Sequence, residues 1–184
     1  MTPDDLLNPV LGLVERDGDA ALAGLDDLIR LYPDDARLPF LQGSVLAGLE
    51  RYAEARTAMQ KAVDIEPGFA IARFQLAFLV LTSGDAAGAR AIWTPLLDLP
   101  AEHPLKLFVD GLEAMLTDRF GDAISLIEAG IERNRDLPPL NRNMAILIQE
   151  MRDRLGVPQD EDANDVESGA HFLLKQSSFK GTRH

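Results

Sequence analysis

Residues 43–67 read GSVLAGLERYAEARTAMQKAVDIEP, and positions within this stretch recur along the chain. Alanines stand 34 residues apart, at Ala21, Ala55, Ala89 and Ala123. The residue four positions after each alanine is large and apolar: Leu25, Met59, Trp93 and Ile127. A period of this length predicts helix–turn–helix repeats, because each helix pair must bury one face against the next pair.

Further columns share the period. A small residue precedes three of the alanines by twelve positions, at Gly43, Ala77 and Gly111, and prolines follow two of them, at Pro33 and Pro67. Together the columns resemble those of the tetratricopeptide repeat family over residues 2–137. The resemblance implies an all-α fold, a right-handed superhelical solenoid of four repeats at about residues 2–35, 36–69, 70–103 and 104–137. A polar helix at 138–155 would cap it.

Breakers and capping residues predict where individual helices begin and end. Two helices are expected at Tyr52–Ile65 and Phe120–Arg133, a first helix at Pro3–Arg16, and a second that is capped by Asp19. A further helix is expected from Ala86 to about Leu97, where Pro95 kinks or shortens the last turn. Asp85 follows the Ser83-Gly84 turn and should act as its N-cap.

The overall charge restricts the class of partner. The formal net charge is -12 and the pI about 4.6, which argues against nucleic acid or an anionic membrane as a partner. A basic or apolar protein segment is easier to accommodate. The chain has no cysteine, hence no disulfide or zinc–thiolate site. No secretory signal or membrane-spanning run is recognisable, which predicts a cytoplasmic protein.

Two segments follow the predicted capping helix. Residues 156–169 form an acidic linker, with five acidic residues between Gln159 and Ser168. Residues 170–184 are apolar and basic and are expected to form a flexible tail. Its apolar residues, Phe172, Leu173, Leu174 and Phe179, are a candidate docking segment. It could occupy the chain's own groove, a neighbouring copy through self-association, or another protein.

The candidate peptide-binding groove comes from another column with the same period, Phe40, Phe74 and Phe108. The family resemblance implies that this column, and the places one and two turns later, face the concave groove. Those later places are Ser44, Phe78, Leu112, Leu81 and Met115. The alternative is that the three phenylalanines belong to the core, because both groove and core recur in every repeat. The basic residues of the family's carboxylate clamp are absent from these places.

No arrangement of residues indicates catalysis. His103, His171 and His184 lack the spacing of a helical metal site, and His103 is expected in an exposed loop between repeats. Trp93 falls in the bulky column and should be core. The acidic pairs fall at turns and exposed faces. We therefore expect no catalytic residue, cofactor or metal.

The sequence thus predicts a non-catalytic interaction adaptor that binds an apolar, basic-flanked protein segment in its groove. Two alternatives stay open. One is a cytoplasmic secretion chaperone for an apolar, translocator-type client, a class that small acidic tetratricopeptide proteins resemble. The other is a regulatory or assembly subunit of a larger complex.

Overall fold

The computed structural model describes residues 3–14, 16–135 and 137–156, and all regular structure among them is helical. Two compact units divide the chain, residues 1–80 and 81–184. The first contains α1 to α4 and most of α5, and the second contains α6 to α9. The helices are α1 Pro3–Leu11, α2 Gly18–Leu31, α3 Arg37–Gly48, α4 Tyr52–Ile65, α5 Ala70–Thr82, α6 Ala86–Trp93, α7 Pro104–Leu116, α8 Phe120–Arg133 and α9 Pro138–Leu155.

The repeated columns are the contacts that join α3 to α4. A Cβ atom added to Gly43 would lie 2.6 Å from Cγ of Met59 and 3.1 Å from the carbonyl oxygen of Ala55. These distances are shorter than normal carbon contacts, so the two helices approach closely only because Gly43 has no side chain.

The same contact recurs in the second unit, between α7 and α8. A Cβ atom on Gly111 would lie 2.6 Å from Cγ1 of Ile127 and 3.2 Å from the carbonyl oxygen of Ala123. The small, alanine and bulky columns of the sequence are therefore one packing motif, present in each unit.

The turn inside the helix pair also repeats in the three pairs that follow α1 and α2. Glu50, Gly84 and Asp118, spaced 34 residues apart, have φ angles of 60°, 93° and 57°. Each follows the first helix of a pair, where a left-handed residue ends the helix and redirects the chain. Only the glycine adopts this conformation without strain.

One core cluster of the first unit is aliphatic. Leu25 and Leu38 are fully buried, and α1 packs on α2, α2 on α3 and α3 on α4. The other buried members of this cluster are Leu7, Leu22, Leu28, Val45, Leu46, Ala55 and Ala58. In the second unit α7 packs on α8 and α8 on α9.

Helix bounds agree with the sequence at Tyr52–Ile65 and Phe120–Arg133 and differ at the N-terminus. Helix α1 ends at Leu11 rather than Arg16. The prediction that Asp19 caps α2 is wrong. Asp17 is the N-cap, and its side chain accepts a hydrogen bond of 2.9 Å from the Ala20 amide. Asp19 lies in the first turn, where its charge favours the helix dipole.

Helix α6 is the shortest in the second unit because Pro95 ends it. The Asp85 side chain caps its start as predicted, accepting from the Gly88 amide at 2.8 Å. The α-helix ends at Trp93, and residues Thr94–Asp98 continue as a 3-10 turn. Proline has no amide hydrogen to donate, so the regular bonding pattern stops there. The predicted helix end near Leu97 was therefore too late.

The connection from α8 to α9 is held by two asparagines. Asn134 is 7% exposed and its Nδ2 lies 2.7 Å from Oδ1 of Asn141 and 3.0 Å from the Leu137 carbonyl oxygen. Asn141 in turn donates to the Asn134 carbonyl at 3.0 Å. Helix α9 ends at Leu155 and is followed by Gly156, which has a left-handed φ of 68°. Within the described residues, no helix is both long and apolar enough to cross a bilayer.

Candidate functional site

An aromatic cluster lies where α3 and the start of α5 meet in the first unit. Phe40 on α3 and Phe69, just before α5, have ring centroids 5.1 Å apart with the planes tilted by 58°. Both side chains are half-buried. A tilted pair at this distance is favourable, because the edge of one ring meets the face of the other.

A second ring pair lies along α5. Phe74 and Phe78 are one helical turn apart, with ring centroids 6.2 Å apart and planes within 9° of parallel. Phe74 is buried, with 1% of its surface exposed, whereas Phe78 is half-buried. Phe74 therefore supports the ring of Phe78 from the core side.

Two polar side chains lie between α3 and α5. The Ser44 hydroxyl lies 3.0 Å from the Phe40 carbonyl oxygen and 3.4 Å from Oε1 of Gln75, and it can donate to either. Gln75 is half-buried, and its side-chain amide also carries an NH₂ group that can donate. An amide donor thus stands within an otherwise apolar region. We call Phe40, Ser44, Phe69, Gln75 and Phe78 the aromatic surface.

The groove residues predicted in the second unit divide by exposure. Phe108 and Leu112 are fully buried, whereas Leu81 and Met115 are half-buried. A Cβ atom on Gly130 would lie 2.5 Å from Cε1 of Phe108, so the Phe108 ring packs against the backbone of α8. Burial of Phe74 and Phe108 is what the core alternative predicts for these two rings. A binding role for any of the predicted groove residues stays a prediction.

The sequence did not point to Phe69 or Gln75. Phe69 lies in a turn after Pro67, outside the periodic column, and Gln75 is one residue from that column. Only the fold brings these side chains beside Phe40 and Ser44.

The tail segment Phe172, Leu173, Leu174 and Phe179 lies outside the described residues, as do His171 and His184.

The described histidine and tryptophan have structural roles. His103 is half-buried rather than exposed, and it caps α7, with Nδ1 accepting from the Leu105 amide at 3.2 Å. Trp93 is buried as predicted, and its Nε1 donates to Glu113 at 3.2 Å. Arg90 reaches the same carboxylate at 3.0 Å. The described residues contain no cluster of three or more potential metal ligands.

One carboxyl group in α9 is unusual. Oε2 of Glu150 is buried and has no hydrogen-bond partner among the described residues. Burial raises the pKa of Glu150 to about 7; the charge of Arg154 lowers the pKa, and that of Asp153 raises it. The sequence placed Glu150 among the polar residues of a capping helix, and a pattern of residue types does not show how deeply one oxygen is buried.

Comparison with known proteins gives a structural likeness only. No family model matches the chain, and no curated protein matches it. Solved structures of MamA, a tetratricopeptide-like helical repeat protein, do match.

MamA from Desulfovibrio magneticus RS-1, residues 41 to its end, superposes with a TM-score of 0.60 at 16% identity, covering 84% of this chain and 85% of that one. A double mutant named MamA RS-1 ArsTM gives a TM-score of 0.59 at 15% identity, with coverages of 95% and 89%. A third MamA structure gives 0.57 at 15%, with coverages of 75% and 81%.

At these identities the likeness establishes the fold alone. The predicted all-α fold of tetratricopeptide-like helix pairs is confirmed.

Proposed function

We propose that this protein is a non-catalytic interaction adaptor that binds an apolar peptide segment on the aromatic surface of its first unit. The observation that carries the proposal is that three half-buried rings, Phe40, Phe69 and Phe78, belong to α3 and to the start and body of α5, and that Gln75 on α5 meets Ser44 on α3 at 3.4 Å. Tetratricopeptide-like helix pairs provide a rigid support for such a surface.

The rings offer contact area at small entropic cost. Phe40 and Phe69 fix each other's orientation, and Phe78 is stacked on Phe74, so little rotamer freedom remains to be lost on binding. Each ring keeps part of its surface accessible. Covering that surface with an apolar side chain of a partner removes it from water, which is favourable in proportion to the area covered.

Gln75 adds a directional hydrogen bond to a contact that is otherwise apolar. Its Oε1 is near the Ser44 hydroxyl, which leaves Nε2 available to donate to a carbonyl oxygen. A peptide backbone supplies such an acceptor at every residue. We therefore expect a peptide that places an apolar side chain on the rings and a backbone carbonyl at Gln75.

The net charge of the protein indicates which charge the residues flanking that apolar segment should carry. A protein with a formal net charge of -12 attracts a basic segment and repels an acidic one. Leu81, Phe108, Leu112 and Met115, the groove residues predicted in the second unit, stay predictions. The cytoplasmic location predicted from the sequence stays a prediction.

A peptide-display selection on the intact chain tests the proposal. We expect enrichment of peptides with adjacent aromatic or aliphatic residues and a basic flank. Phe40→Ala and Phe78→Ala should each weaken binding of the selected peptides at least about tenfold, because truncation of a central aromatic anchor typically costs 2 kcal/mol or more. Gln75→Ala should weaken it less. Fluorescence anisotropy measures the three affinities.

Phe120→Ala is the matched control, since Phe120 is also a half-buried phenylalanine but lies at the start of α8 in the second unit. Its peptide affinity should equal that of the unmodified chain. Binding that survives both Phe40→Ala and Phe78→Ala, with the variants folded by circular dichroism, would contradict the proposal.

The two alternatives from the sequence differ in the fate of the partner. A secretion chaperone would keep an apolar client soluble, and a regulatory subunit would stay in a fixed stoichiometric complex. Both would use the same surface.

A further inference from the structure

An open cleft of about 570 Å³ lies in the first unit, where α2 and α4 end. Residues 31–37, which connect α2 to α3, form most of its wall, and Glu66 after α4 forms the rest. We call this lining the acidic cleft. Leu31 leaves 65% of its surface exposed there, and Tyr32 is half-buried. The lining therefore includes apolar surface that a bound side chain would cover.

The acidic cleft carries more negative than positive charge. Its lining contains three acids, Asp34, Asp35 and Glu66, against one cation, Arg37. Arg37 binds the Asp35 carboxylate through two hydrogen bonds of 2.9 and 2.6 Å. Asp34 and Glu66 are exposed, and among the described residues no ion pair involves either of them. Their two carboxylates are therefore available to a cation from a partner.

The helix ends reinforce this charge. Tyr32 is the C-cap of α2 and Glu66 is the C-cap of α4, so the C-termini of both helices meet the acidic cleft. The C-terminus of a helix carries a partial negative charge and favours a nearby cation. Helix α4 has no basic residue in its last turn, and Arg30 in the last turn of α2 pairs with Asp27. The acidic cleft therefore suits a positively charged group.

The acidic cleft adjoins the aromatic surface. The Phe40 amide donates to the Ala36 carbonyl oxygen at 3.2 Å, and the Phe69 amide donates to the Glu66 carbonyl oxygen at 2.9 Å. Ala36 and Glu66 line the cleft, whereas Phe40 and Phe69 form the tilted ring pair. Both rings thus belong to residues that are hydrogen-bonded to the cleft lining. A peptide on the rings needs only a short continuation to reach the cleft.

We propose that the acidic cleft binds the lysine or arginine side chain that flanks the apolar residues of the peptide. The inference rests on the proposed function and gives the basic flank a place. The aliphatic part of the side chain covers Leu31, and its charged end lies against the carboxylates of Asp34 and Glu66. Ala36 and Phe40 are about 6 Å apart along α3. Because an extended peptide advances about 3.3 Å per residue, we expect the basic residue about two positions from the residue on Phe40.

Matched peptides test the proposal by fluorescence anisotropy. A display-selected peptide is compared with a version in which norleucine replaces the basic residue, which keeps an unbranched aliphatic side chain and removes the charge. We expect this replacement to weaken binding to the unmodified chain about threefold to tenfold, the range for one or two partly exposed ion pairs. The combined Asp34→Asn and Glu66→Gln variant should bind both peptides with the same, weaker affinity. Circular dichroism checks that this variant is folded.

Asp64→Asn is the matched control, because Asp64 is an exposed acid two residues before Glu66 that does not line the cleft. This variant should retain the preference for the basic peptide. Three results would each overturn the proposal: a selection that enriches no basic residue, equal affinities of the two peptides for the unmodified chain, or a preference that persists in the double variant.

The proposed function and this inference fail in different ways. If Phe40→Ala and Phe78→Ala weaken binding but the double variant keeps the preference for the basic peptide, the aromatic surface stands and the acidic cleft is excluded. If the double variant loses that preference while both ring variants bind normally, the cleft binds the basic residue and the aromatic surface is contradicted. A chain that binds no peptide contradicts both.

Discussion

Two glycines allow the helices of a pair to approach each other closely. Gly43 and Gly111 each face the backbone carbonyl of an alanine and the side chain of a bulky residue at less than normal carbon distance once a Cβ is added. The repeated alanines fit because any larger side chain at Ala55 or Ala123, both fully buried, would separate the helices. Close packing in each pair thus rests on residues that have almost no side chain.

Gly111→Ala should therefore lower the free energy of unfolding by about 1–3 kcal/mol, since the new methyl group meets Cγ1 of Ile127 at 2.6 Å. Urea denaturation measures the change. Gly121→Ala is the control in the same helix pair, because nothing lies within 4 Å of its added Cβ. That variant should be as stable as the unmodified chain or slightly more so. Equal stabilities for the two variants would argue against close packing at Gly111.

Single residues also show where sequence reasoning stops. The column Phe40, Phe74 and Phe108 recurs with the correct period, yet Phe40 is half-buried and the other two are buried. Periodicity places a residue on a helix face but does not say what covers that face. For Phe108 the answer depends on Gly130, 22 residues away, where the absence of a side chain admits the ring.

At the scale of elements, two helices have the bounds predicted from the sequence although neither has a side-chain N-cap. Tyr52–Ile65 and Phe120–Arg133 could be predicted from flanking residues. The left-handed turns at Glu50 and Asp118 could not, because glycine marks only the equivalent turn at Gly84. In the other two the packing of the helix pair imposes a conformation that residue type alone would not favour.

The connection between α8 and α9 depends on a polar contact that the sequence does not reveal. Asn134→Ala should destabilise the protein by about 1–3 kcal/mol, because it leaves Oδ1 of Asn141 and the Leu137 carbonyl without their donor in a buried place. Thermal unfolding with Asn143→Ala as the exposed control measures the difference. If the Asn134→Ala variant has the same unfolding temperature as the Asn143→Ala control, the asparagine pair does not stabilise this connection.

At the scale of the whole molecule, a 34-residue period was sufficient to predict an all-α repeat fold, which the likeness to MamA structures supports at about 15% identity. The period carries no information on function, since every repeat protein must bury the same columns. Phe69 and Gln75 of the aromatic surface lie outside the periodic columns of the sequence. Their place in this surface could therefore be recognised only from the structure.

The most direct test of the proposed function is chemical-shift mapping of the isotope-labelled full chain during titration with a display-selected peptide. We predict saturable shifts centred on the backbone amides of Phe40, Ser44, Gln75 and Phe78, with small or no shifts around Phe120. Shifts centred elsewhere on the protein, or no saturable shifts, would contradict binding at the aromatic surface.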